Sequence, residues 1–121
     1  MPARHHRVTR GEDYRRVVRT GNRVGGALCI TYAVPRSVGD SPEHGETQQP
    51  ARFGFIISKA VGNAVTRNLI RRRMKTVADD LIREGVSGVD LVFRALPQSA
   101  TASFDELQRE MHRAVRKIRV A

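Results

Sequence analysis

The densest chemistry in this sequence is cationic. Ser58 to Lys75 (SKAVGNAVTRNLIRRRMK) holds six basic residues and no acid. Arg67, Arg71 and Lys75 recur at i, i+4 and i+8, which stacks like charges on one side of a helix. On a helical wheel with Arg67 at zero, Arg71 falls at roughly 40°, Lys75 at roughly 80°, Asn68 at roughly 100° and Arg72 at roughly 140°. Those five residues form one continuous polar face. Val65, Leu69, Ile70, Met74, Val77 and Leu81 fall at roughly 160° to roughly 340° and are predicted to be buried. Arginine pairs bidentately with phosphate and stacks on bases, and Asn68 adds a donor and an acceptor. Such a strip suits a polyanion, whose charge removes the repulsion within the helix.

Side chains for bond-breaking chemistry are not grouped anywhere in the sequence. There is no Walker loop, no GxSxG and no HExxH. One cysteine, Cys29, and four scattered histidines give no zinc spacing. Asp40, Glu43 and Glu46 with His44 read as a solvated loop. Asp79, Asp80 and Glu84 would be the ligands of a protein-only nuclease, but they also fit a solvated helix end near Arg83. No catalytic residue and no protein metal site is therefore assigned.

The whole chain supports an anionic partner. It has 121 residues, enough for one domain, and 22 Lys and Arg against 12 Asp and Glu give a net charge of +10. The charge is segregated: residues 76–110 hold seven acids and only three bases. This favours nucleic-acid binding over an arginine-rich solvated face. No apolar run marks a secretory signal or a membrane span. A single cysteine makes a reducing cytoplasm the expected location. Neither helix-turn-helix nor zinc-finger spacing points to DNA. Tyr14 and Tyr32 beside a basic helix suit the stacking of unpaired RNA bases, and they suit core packing equally well.

Periodicity places these residues on elements. Gly11–Thr20 reads as a short helix with Tyr14, Val17 and Val18 on one face and Arg15, Arg16 and Arg19 directed elsewhere. Residues 24–34 read as one strand covered on both sides, and residues 52–58 as a second. Asn63 caps the basic helix, which runs to about Ile82 and stops before Gly85. Residues 89–95 form a third strand. Ser103 and Glu106 have capping-box spacing at the start of a last helix. The expected architecture is a single small α+β domain in α-β-β-α-β-α order, with a small mixed sheet and helices packed on it. Residues 1–10 are expected to be a mobile basic arm and 35–51 a mobile loop.

In combination these segments resemble the protein subunit of bacterial ribonuclease P. The resemblance runs through GEDYRRVVRTG, Tyr32, RFGFIISKAVGNAVTRN and VDLVFRALP, and so spans nearly the whole chain. It implies a ribosomal protein S5 domain 2-like fold and a role in maturing the 5′ end of precursor tRNA. The implied partners are a catalytic RNA subunit and precursor tRNA, with no membrane and no protein partner required. Mg2+ would be bound mainly by the RNA, which would also supply catalysis. Position by position, Lys59, Asn63, Arg67, Asn68, Arg71, Arg72 and Lys75 would contact that RNA. Tyr14, Val18 and Tyr32 would line a cleft for the single-stranded 5′ leader. Val18 stands where relatives are often aromatic, which weakens stacking there. Leu69 replaces a signature arginine, which removes one RNA contact or shifts it to Arg73. Arg73, inside the apolar arc, must snorkel or sit at its edge. Arg94, on a strand where apolar residues are common, has no assigned role. A general RNA-binding or ribosome-associated protein without a part in cleavage is the alternative.

Overall fold

The computed structural model describes residues 4–36 and 50–120. The acidic loop with Asp40, Glu43, His44 and Glu46 lies outside those residues. The elements run α1 (Gly11–Thr20), β1 (Asn22–Gly25), β2 (Cys29–Pro35), β3 (Arg52–Ile56), α2 (Ala64–Arg83), β4 (Val89–Ala95) and α3 (Phe104–Val120), with 3-10 turns at Arg4–His6 and Pro97–Ala100. The sheet order is β1-β2-β4-β3. β1 pairs antiparallel with β2, β2 antiparallel with β4, and β3 parallel with β4. It is the expected small α+β domain with a mixed sheet and three helices.

The strand expected over 24–34 is in fact two strands joined by a tight turn, so the sheet has one strand more than the sequence suggests. Apolar alternation continues on both sides of the break and hides it. The turn is held from a distance. Glu110 of α3 is buried, and its carboxylate accepts the N–H groups of Leu28 (2.9 Å) and Cys29 (2.7 Å). A Cβ at Gly26 would lie 2.5 Å from Glu110 Cδ, so a side chain there would displace that carboxylate.

The two faces of the sheet bury different clusters. Cys29, Ala33, Phe53, Leu91, Phe93 and Ala95 face α2 and α3, where Ile70, Met74, Val77, Leu81, Leu107 and Met111 complete the main core. On the opposite face Tyr32 and Val92 bury Val17 of α1. The strand expected to be covered on both sides is covered on both.

Local signals set the ends of the helices. Asn63 Oδ1 accepts the N–H of Thr66 at 2.9 Å. At the other end Val86 N–H donates to Leu81 O and Gly85 N–H to Ile82 O, which closes α2. Ser103 and Glu106 form the reciprocal capping box, and these bonds hold the Glu106 carboxyl below its ordinary pKa. The N-terminal basic segment is docked rather than trailing free from His6 onward. Val8 is buried and its N–H donates to Phe53 O at 2.9 Å, while His6 Nδ1 lies 2.7 Å from Ala51 O.

Burial, reinforced by the nearby Glu110 charge, pushes the Cys29 thiol up to about 12. Iodoacetamide at pH 8 should therefore label the native protein far more slowly than the urea-unfolded chain. Equal labelling rates in the two states would show that the β1–β2 turn opens freely.

Candidate nucleic-acid interface

The basic helix buries a different arc from the one its periodicity predicts. Its buried residues are Ile70, Met74, Val77, Ala78 and Leu81, and on the same wheel they centre at roughly 330°. The apolar arc expected from the sequence centres at roughly 250°, because Val65 and Leu69 weight it. Val65 is 78% exposed, a correction to its expected burial. It lies in the first turn, well before Ile70 first reaches the core. Leu69 is half-buried.

The exposed side of α2 therefore centres on Asn68 and Arg72, both solvent-facing. Arg67, Arg71 and Lys75 flank them, half-buried along one border. Arg67 Nε donates to Gly62 O at 3.1 Å, so this side chain also ties the helix to the turn before it. Arg71 Nη1 lies 3.4 Å from Asn68 Oδ1. Lys59 and Asn63 are exposed at that turn, which Val61 N–H to Ser58 O and Gly62 N–H to Lys59 O close. All seven residues thus belong to one turn-and-helix unit. Arg73, on the opposite border, donates from Nη1 to Ala102 O at 3.1 Å. It meets the segment before α3, which accounts for its place inside the apolar arc.

The second feature is a groove between α1 and the sheet. Strand register puts three rows of side chains on the α1 face: Val34, Asp90 and Arg52; Tyr32, Val92 and Gly54; Ile30, Arg94 and Ile56. The ten residues of α1 span about 15 Å. The helix covers the first two rows. Tyr14 rests against Gly54, where a Cβ would stand 2.5 Å from its Cε1, and its hydroxyl accepts the Phe55 N–H at 3.3 Å. The third row stays open as a groove of about 320 Å³ lined by Tyr14, Arg15, Val18, Arg19, Ile56 and Arg94. None of these lining residues is an acid.

Tyr14 and Val18, which the family resemblance places along a cleft, both line this groove. Tyr32 does not: it is only 6% exposed and packs on Val17 and Val92. The expectation that Arg15, Arg16 and Arg19 all turn elsewhere is corrected. Arg15 and Arg19 line the groove. Arg16 turns onto the sheet and donates to Asp90 at 2.9 Å.

Asp90 is the electrostatic hub of this face. It is 1% exposed and takes two bonds from Arg52 (2.8 and 2.7 Å) and one from Arg16, with Arg36 Nε at 3.8 Å. An acid inside the apolar run VDLVF is the signal that could have marked a buried pair. Asp79, Asp80 and Glu84 do not converge. Asp80 pairs with Arg83 and accepts from Gln108, and Glu84 lies 3.6 Å from His112. Among the described residues no group of three or more His, Cys, Asp and Glu side chains could hold a metal ion. Nor is any described helix long and apolar enough to cross a membrane.

Fold and surface together define a small basic α+β domain with a cationic strip on the first turns of its long helix and an acid-free groove. The chain belongs to the ribonuclease P protein family, whose sequence profile matches residues 1–119. It is 45% identical over 115 residues to the ribonuclease P protein component of Clavibacter michiganensis, covering 95% of this chain and 94% of that one. It is 43% identical over 115 residues to that of Kocuria rhizophila, covering 95% and 92%. Among solved structures it resembles the RNase P protein from Staphylococcus aureus (TM-score 0.75, 18% identity, 98% of this chain and 92% of that one). It also resembles the RNase P protein from Thermotoga maritima (TM-score 0.75, 14% identity, 93% and 96%). At those identities the structural likeness shows the fold. Family membership makes the chain the protein subunit of ribonuclease P, a tRNA-processing ribonucleoprotein with an RNA partner.

Proposed function

We propose that the exposed face of α2 and its preceding turn bind the catalytic RNA subunit. In the same reading the groove beside α1 takes the single-stranded 5′ leader of precursor tRNA. The protein assists magnesium-dependent endonucleolytic removal of that leader in the cytoplasm. The observation that carries this is the segregation of charge. Lys59, Arg67, Arg71, Arg72 and Lys75 stand together without a carboxylate in their segment. The groove combines an aromatic wall with Arg15, Arg19 and Arg94 and likewise lacks an acid. Apolar walls with cationic edges suit unpaired nucleotides, whose bases stack and whose phosphates need counter-charge.

Among the described residues the donor set does not form a magnesium site. Asp90 and Glu110, its buried acids with the best-formed surroundings, are already taken by guanidinium groups and backbone N–H groups. In this reading magnesium is held mainly by the RNA. The role of these protein residues is to hold phosphate and base.

Reconstitution tests this function. Protein, cognate RNA subunit and precursor tRNA are combined, then each is omitted in turn at low magnesium. The protein should enhance RNA-dependent cleavage and do nothing alone. Affinity of the holoenzyme should rise with leader length. Cleavage by the protein without RNA, or no enhancement at low magnesium, contradicts the assignment.

A further inference from the structure

Of the two groove residues that the sheet supplies, Ile56 packs on the core and Arg94 does not. Its ladder neighbours on the same face are Ile30 and Ile56. Its guanidinium carbon lies 5.9 Å from the centroid of the Tyr32 ring. No carboxylate among the described residues pairs with it. Nε is sealed from solvent without an acceptor. The side chain as a whole is half-buried and lines the groove. An apolar residue would fit between the two isoleucines without any desolvation penalty. A ring face answers only part of the charge.

The groove supplies what Arg94 lacks only if an acceptor enters it. Tyr14, Val18 and Ile56 offer flat or aliphatic walls, so the entering group has an apolar face. Arg15 and Arg19 suit the phosphates on either side of it. A guanidinium carries donors alone, arranged as a fork. Guanine offers two adjacent acceptors, O6 and N7, that match the fork. Adenine offers N7 beside an N6 donor and would set N–H against N–H. We propose that Arg94 is a specificity-determining residue that reads a single unpaired guanine of the leader. This rests on the reading of the groove as the leader site. Tyr32 then acts as a positioning residue that holds the guanidinium from behind.

The test uses the holoenzyme with its cognate RNA subunit. Precursor tRNAs carry each leader position in turn as guanine or adenine, and binding is measured under conditions that block cleavage. With the wild-type protein, one position should favour guanine by about tenfold. Arg94→Ile should reduce that preference to less than about twofold while the longer leader still binds better than none. Arg94→Lys should keep the charge and lose the preference, because an ammonium has no fork. Thermal unfolding of both variants reports folding separately. A purely structural Arg94 would weaken all leaders alike, and an unchanged guanine preference in folded Arg94→Ile would equally overturn the proposal. So would the absence of any guanine preference in the wild type. If leader length has no effect on wild-type affinity, the leader site itself is wrong and the proposal falls with it. A length effect without a base effect rejects Arg94 alone.

Discussion

Asp90→Ala is expected to destabilise the domain by about 3–5 kcal/mol, the usual consequence of removing one partner from a buried ion pair. The carboxylate is 1% exposed and is held by Arg16 from α1 and Arg52 from β3, with Arg36 close by. Without it, guanidinium groups converge on an apolar sheet face with no central counter-charge. Domains of this size are stable by only about 5–15 kcal/mol, so much of the margin disappears. The melting temperature should fall by roughly 10–20 °C. Asp90→Asn should fall between the two, since an amide keeps the shape but accepts at one oxygen. Phosphate at tens of millimolar should restore part of the loss in Asp90→Ala by entering among the arginines. A fall of less than a few degrees, with or without phosphate, would show that α1 is held to the sheet by Val17 and Tyr14 instead.

The second large effect concerns RNA affinity. Arg71→Ala combined with Arg72→Ala should weaken binding to the RNA subunit by about tenfold or more per phosphate contact. The log–log dependence of affinity on salt should flatten by roughly 0.7–0.9 for each phosphate no longer neutralised. The fold should survive, because Arg72 is exposed and Arg71 makes only a long bond to Asn68. Arg67→Ala is less clean, since Arg67 also holds the turn at Gly62. An unchanged salt slope in the double variant would place the RNA on another surface.

Much of this architecture was legible in the residues. The span of α1, the limits of β4 and both helix caps follow from local signals: acids in a first turn, Asn63, and the Ser103–Glu106 box. These depend on neighbours within a few positions. The β1–β2 turn was not legible, because its holding group, Glu110, comes from the far end of the chain. The roll of α2 departs from its wheel for a related reason. A wheel weights Val65 and Leu69 as heavily as Ile70, but only tertiary contact decides which apolar residues meet a partner. Tyr14 and Val18 were placed beside a cleft through the family resemblance, whereas Tyr32 turned out to pack behind it. Asp90 and Arg94 needed the register of three strands to be understood. Neither residue is distinctive until its ladder neighbours are known.

The position of β4 has a consequence for how the molecule comes into being. β4 lies between β2 and β3, so neither of those strands has its central neighbour until residues 89–95 have been made. Cys29 must wait for Ala95, and Phe53 for Leu91. The basic helix, complete at Arg83, leaves the ribosome before the strand that completes its sheet. Until β4 is available, β3 has no strand partner and the main core lacks Leu91 and Phe93. Closure then requires long-range pairing, which is slow compared with local helix formation. A polyanion that meets α2 in that interval would act on assembly as well as on the finished domain.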